Sequence, residues 1–138
     1  MILVVDDHED MRCVLVRTLA LDGYKSVAVS SGFEALLYLR AHKPRLILLD
    51  YNMPDMDGLM FFSEVRKDHR LHDVPVIMFT ADDGPAREKA MKLGVDAYII
   101  KGSMDWAELR REIARLAGPG TSPGAVPSVT PARPKDVG

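Results

Sequence analysis

Short unbroken apolar runs alternate along this chain with stretches in which apolar residues recur every three or four positions. Ile2 to Val5, Leu46 to Leu49, Val76 to Phe79 and Ala97 to Ile100 show no polar alternation, the pattern of strands covered on both faces. Tyr24 to Ser30, with Val27 and Val29, reads as a further strand. His8 to Leu21 places Met11, Val14, Leu15 and Leu19 at helical spacing, and Asp22-Gly23 supplies a stop. Ser31-Gly32 starts a second helix carrying Ala35, Leu36 and Leu39, which Pro44 ends. A third helix is expected from about Leu59 to Asp68, and a fourth after Gly84-Pro85 with Ala90, Met91 and Leu93, closing at Gly94. Ser103 is placed to cap a fifth, whose buried stripe is Trp106, Leu109, Ile113 and Leu116. Strand and helix alternating five times predict an α/β fold, a doubly wound parallel sheet with helices on both faces.

From Gly118 the composition shifts to Pro, Gly, Ser and Thr with almost nothing to bury. Residues 1–117 are therefore expected to form the domain, and residues 118–138 a disordered tail or linker. At 138 residues, 47% hydrophobic and 28% charged, the chain suits one globular domain. Its net charge of −2 gives no general reason to bind nucleic acid or anionic lipid. The lone Cys13 forms no internal disulfide, and no apolar run approaches the ~20 residues that span a bilayer. The cytoplasm is the expected location.

The apolar runs share a further property: each delivers polar groups at its carboxyl end. Asp6-Asp7 follow the first, Asp50 the third, Thr80 the fourth and Lys101 the fifth. In an open parallel sheet those ends lie along one rim, where such folds bind ligands. Three carboxylates brought together repel one another and recruit a cation. Mg²⁺ accepts two carboxylates plus a backbone carbonyl from the loop after Asp50, and leaves positions for a phosphoryl oxygen. With a lysine and a hydroxyl beside it, the set suits transfer of a phosphoryl group to a carboxylate.

Asp6-Asp7, Asp50 in Leu-Leu-Asp-Tyr-Asn-Met-Pro-Asp-Met-Asp-Gly, Thr80-Ala81, and Tyr98 three residues before Lys101 together resemble the receiver domain of bacterial two-component response regulators. The resemblance implies a flavodoxin-like sheet of strand order 2-1-3-4-5. It makes Asp50 the acceptor of a phosphoryl group from a sensor histidine kinase or a histidine phosphotransfer protein. Mg²⁺ would be held by Asp7, Asp50 and the Asn52 carbonyl, with Asp6 acting through bound water. Thr80 would hydrogen-bond the phosphoryl group, and Lys101 would pair with it. Thr80 and Tyr98 would form the switch, changing a face over residues 87–116 that meets a downstream protein target and serves for self-pairing. Asn52 and Asp82 correspond to the positions that tune phosphoryl lifetime. By the same resemblance the chain is a signalling domain that phosphorylates and dephosphorylates itself rather than a turnover enzyme, with no direct nucleic-acid or membrane contact.

One departure stands out: Gly102 follows Lys101 where the family usually has a proline with a cis bond. A cis bond to a non-proline residue costs about 2.5–4 kcal/mol, so either a trans bond or a strained cis bond is expected. Two other functions compete. A phosphorylation-independent interaction domain would need none of the site. A phosphatase of the haloacid dehalogenase type would use an aspartyl phosphate, but from an Asp-x-Asp motif on its first strand, whereas the apparent nucleophile here is on the third. His8, His42, His69 and His72 are read as helix ends or loop residues and not as ligands. Met53, Met56 and Met60 are read as gap fillers, Asp55 and Asp57 as turn formers, and Trp106 as an anchor for the last helix.

Overall fold

A computed structural model describes residues 1–81, 84–102 and 106–120. Five strands alternate with five helices: β1 (Ile2–Val5), α1 (Glu9–Leu21), β2 (Ser26–Val29), α2 (Gly32–Leu39), β3 (Leu46–Leu49), α3 (Gly58–Lys67), β4 (Val76–Thr80), α4 (Pro85–Leu93), β5 (Ala97–Ile100) and α5 (Trp106–Ala117). The strands form one parallel sheet of order β2-β1-β3-β4-β5. Both the fold class and the strand order expected from the sequence are found.

Strand parity divides the core into two layers. Leu3, Val5, Ile47, Leu49, Val76 and Met78 point to the side covered by α2, α3 and α4. Ile2, Val4, Leu46, Leu48, Ile77 and Phe79 point to the side covered by α1 and α5. Because both faces are covered, β1, β3, β4 and β5 are nearly unbroken apolar runs, whereas the edge strand β2 is only partly buried.

Local chemistry sets most boundaries as expected. The Ser31 hydroxyl accepts from the Glu34 N–H at 3.0 Å and caps α2. Asp57 is a helix cap beyond its expected turn role, its Oδ1 accepting from the Met60 N–H at 2.9 Å to start α3. Gly94 closes α4 at φ 104, a left-handed conformation that glycine adopts without strain. The proposed cap Ser103 lies outside the described residues.

The helical stripes are narrower than their spacing suggested. Leu15 and Leu19 are buried on α1, but Val14 is exposed; Ala86 and Ala90 are buried on α4, but Met91 and Leu93 are exposed. Met53 and Met56 fill the core, whereas Met60 faces solvent. Trp106 sits at the edge, tilted against Phe79 with ring centroids 6.0 Å apart, while Leu109 and Ile113 do the anchoring. Among the described residues no helix is long and apolar enough to cross a membrane. Residues 118–120 run back over the domain: the Tyr24 hydroxyl donates to the Gly118 carbonyl at 2.5 Å, and Arg45 Nη2 donates to the carbonyls of Ala117 and Pro119.

Candidate functional site

The parallel register brings the ends of β1, β3, β4 and β5 to one rim, and with them Asp6, Asp50, Thr80 and Lys101. The Asp50 N–H donates to the Val5 carbonyl at 2.9 Å, which continues the β1–β3 ladder one residue past the end of β3 and fixes where the side chain emerges. Behind it, the Gly58 N–H donates to the Tyr51 carbonyl at 2.8 Å. A Cβ at Gly58 would lie 2.7 Å from the Asp50 carbonyl oxygen and 2.8 Å from the Tyr51 Cα. That approach is open only to glycine, so Gly58 lets α3 start directly under the loop that follows Asp50.

Asp6, Asp50 and Thr80 are the buried polar side chains of the rim, at 2%, 3% and 0% exposure. Lys101 Nζ answers this buried charge: it lies 2.7 Å from Asp6 Oδ2 and 3.5 Å from Asp50 Oδ2. The peptide bond from Lys101 to Gly102 is trans, and the Lys101 N–H donates to the Thr80 carbonyl at 2.8 Å. Lys101 thus reaches the carboxylates without the family's proline. It is held more closely by Asp6 than by Asp50.

Compensation of Asp50 is incomplete. Burial pushes its pKa above the ordinary 3.8, and the Asp6 charge pushes the same way. The Lys101 charge, a hydrogen bond with Thr80 and the Asn52 N–H, 3.3 Å from Asp50 Oδ1, pull it down without cancelling the desolvation. Asp7 is differently placed. Its side chain is 28% exposed, yet its Oδ1 is buried and has no hydrogen-bond partner.

An orphaned carboxylate oxygen beside two buried carboxylates is what a cation site requires of its donors. Ligand atoms of Asp6, Asp7, His8 and Asp50 all lie within 4.8 Å of one another. The three carboxylates of that set fit a hard divalent ion. His8 is the residue of this cluster that reading the sequence did not place here. It begins α1, and its Nδ1 stands 3.1 Å from Asp7 Oδ1 and 3.3 Å from Asp6 Oδ1. The available signal was its position directly after the aspartate pair.

Tyr98 lies on the α4 side of the sheet, buried, with the Arg87 guanidinium 5.9 Å from its ring centroid. It pairs in register with Met78, and Thr80 with Ile100, so both side chains emerge on the same face of neighbouring strands. Asp82 lies outside the described residues. His42, His69 and His72 are exposed and remote from the rim; His42 stacks on Tyr38, with centroids 4.0 Å apart.

The family model described as "Response regulator receiver domain" matches residues 2–114. Over 103 residues the chain is 41% identical to chemotaxis protein CheY1 of Helicobacter pylori (strain J99), covering 72% of this chain and 83% of that protein. It is 41% identical over 101 residues to the probable transcriptional regulator ycf27 of Pyropia yezoensis. That match covers 72% of this chain but only 40% of ycf27, so the chain spans about two-fifths of that relative. Among solved structures, response regulator protein TrrA of Thermotoga maritima, in complex with Mg²⁺-BeF, is similar with a TM-score of 0.75 and 32% identity, covering 83% of this chain and 96% of that one.

Proposed function

The chain belongs to the family of response regulator receiver domains, and from that premise we propose that Asp50 accepts a phosphoryl group from a phosphohistidine on a sensor kinase or phosphotransfer protein. The observation that carries this reading is a carboxylate 3% exposed whose Oδ2 faces Lys101 Nζ at 3.5 Å. An Asp50 oxygen attacks phosphorus, the O–P bond forms as the P–N bond breaks, and the imidazole leaves with a proton. Lys101 then pairs with the phosphoryl oxygens, and Thr80 donates to one of them, so charge that develops in the transition state meets donors already in place. Asp7, Asp50 and the Asn52 carbonyl would hold Mg²⁺, with Asp6 acting through bound water. When bound, Mg²⁺ neutralises the phosphoryl charge and lets it approach the acidic cluster.

Autophosphorylation from small phosphodonors and autodephosphorylation belong to the same reading, with Asn52 and Asp82 as the residues that tune the lifetime of the phosphoryl group. A new acyl phosphate adds charge and acceptor oxygens that draw Thr80 toward it. Tyr98 shares the face of the sheet with Thr80, and Arg87 at the start of α4 covers its ring. Movement at Thr80 therefore reaches the face over residues 87–116, where a downstream protein or a second copy of the chain docks. Residues 118–138 serve as the tail or linker after the receiver, and the cytoplasm is where the partners meet it.

The test is intact mass after incubation with acetyl phosphate and Mg²⁺. Gain of one phosphoryl group, lost in Asp50→Asn and in chelated samples, is the expected result. No gain from acetyl phosphate or from a panel of phosphorylated kinases would overturn the reading.

A further inference from the structure

We propose that His8 is a nitrogen ligand of the cation site, so that this receiver discriminates less strongly for Mg²⁺ and takes a divalent ion that accepts imidazole. The inference rests on the metal-dependent phosphoryl site described above and adds a donor to it. In an octahedral sphere with bonds of about 2.1 Å, neighbouring donor atoms lie about 3.0 Å apart and opposite ones about 4.2 Å. His8 Nδ1 lies 3.1 Å from Asp7 Oδ1, 3.3 Å from Asp6 Oδ1 and 4.0 Å from Asp50 Oδ2. The Asp7 spacing is that of neighbouring donors and the Asp50 spacing is close to that of opposite ones, as around a single ion.

Two local facts show why the ring stands there. His8 is the N-cap of α1, but its side chain does not cap that helix. Its backbone N–H donates to Asp6 Oδ1 at 2.9 Å, which fixes the residue in extended conformation and turns the imidazole toward the carboxylates. The facing Asp7 Oδ1 is buried and makes no hydrogen bond, despite the nearby ring nitrogen. Nδ1 hydrogen-bonds with Asp6 Oδ1 at 3.3 Å but not with Asp7 Oδ1, so ring and Asp7 carboxylate are close without being bonded to each other, as two ligands of a common ion would be. Imidazole suits Co²⁺, Ni²⁺ and Zn²⁺, whereas Mg²⁺ selects oxygen and gains little from a nitrogen.

The experiment is calorimetric titration of tag-free protein with Mg²⁺ and with Ni²⁺, backed by the visible absorption of the Co²⁺ form. His69→Ala and His72→Ala are introduced throughout to remove adventitious binding by that exposed loop. His8→Ala is expected to weaken Ni²⁺ about tenfold, to leave Mg²⁺ within about twofold and to shift the Co²⁺ bands. His8→Asn, which retains an oxygen donor and favours the N-cap, should behave as His8→Ala toward Ni²⁺; thermal melts confirm that both fold. Equal change for the two ions, or no change for either, overturns the proposal. Asp7→Asn separates the two readings: if it weakens neither ion, the acidic site itself is not a cation site, whereas a loss in Asp7→Asn with none in His8→Ala removes His8 alone.

Discussion

The two rims of the one sheet are built on opposite principles. At the amino rim, charge is satisfied locally: Arg66 donates to the Val74 carbonyl at 2.9 Å, lies over the Phe62 ring and stands 3.5 Å from Asp96. Asp96 in turn accepts from the Val76 N–H at 2.8 Å. Arg45 holds the carbonyls of Ala117 and Pro119, and its guanidinium lies 5.8 Å from the Tyr24 ring centroid. At the carboxyl rim, Asp6 and Asp50 are buried with one lysine between them, and Asp7 Oδ1 has no hydrogen-bond partner. The amino rim secures the last helix and the chain beyond it. The carboxyl rim keeps unmet demand for positive charge, which is the condition for receiving a cation and a phosphoryl group.

The largest test of that contrast is Lys101→Met. Leaving Asp6 and Asp50 without their cation should cost about 3 kcal/mol in metal-free buffer at neutral pH. Urea unfolding measures it, and a change below about 0.5 kcal/mol would mean that water already satisfies the carboxylates. Gly58→Ala comes next, at about 2 kcal/mol, because the added methyl meets backbone atoms that cannot rotate away. It should also slow phosphorylation of Asp50 by displacing the loop, and a normal rate with normal stability would show the loop to be pliable.

Asp50→Asn has the opposite sign. The folded-state pKa of Asp50 is raised by burial, so its contribution to stability is present below the unfolded value and is lost as pH rises through the folded one. Removing the charge should therefore stabilise the metal-free protein at pH 7 by on the order of 1 kcal/mol. The gain should shrink as pH falls through the raised pKa toward 3.8. A gain that is constant over that window would assign it to packing and not to charge. The smallest effect is at the amino rim: Arg45→Ala should cost about 1 kcal/mol, since the guanidinium is exposed and its partners are carbonyls that water can reach. Hydrogen exchange should rise in the last turn of α5 and not at the carboxyl rim.

Much of this was legible in the residues. Continuous apolar runs bounded by turn residues located β1, β3, β4 and β5, because a strand covered on both faces tolerates few polar positions; the half-buried edge strand β2 was read from Val27 and Val29 instead. The acid pair, Asp50, Thr80 and Lys101 were legible because each follows such a run directly. Helical faces were less so: Val14, Met91 and Leu93 sit at apolar spacing yet stay exposed, because the arc a helix buries depends on how its neighbours pack on the sheet. On α4 two alanines suffice for that contact.

The order of strands and helices, and the set of polar residues delivered to the strand ends, follow from the sequence by itself, since periodicity and chain punctuation are local properties. The sequence alone does not distinguish adjacent Asp6 from Asp7. The fold does, burying the first against Lys101 and leaving the second with a buried oxygen that makes no hydrogen bond. It also turns His8 from a helix-start residue into a neighbour of three carboxylates, and it brings Lys101 to Asp6 across 95 positions of chain through a trans bond. These are distances between segments remote in sequence, set by sheet register and by the cost of burying charge, which no local pattern encodes.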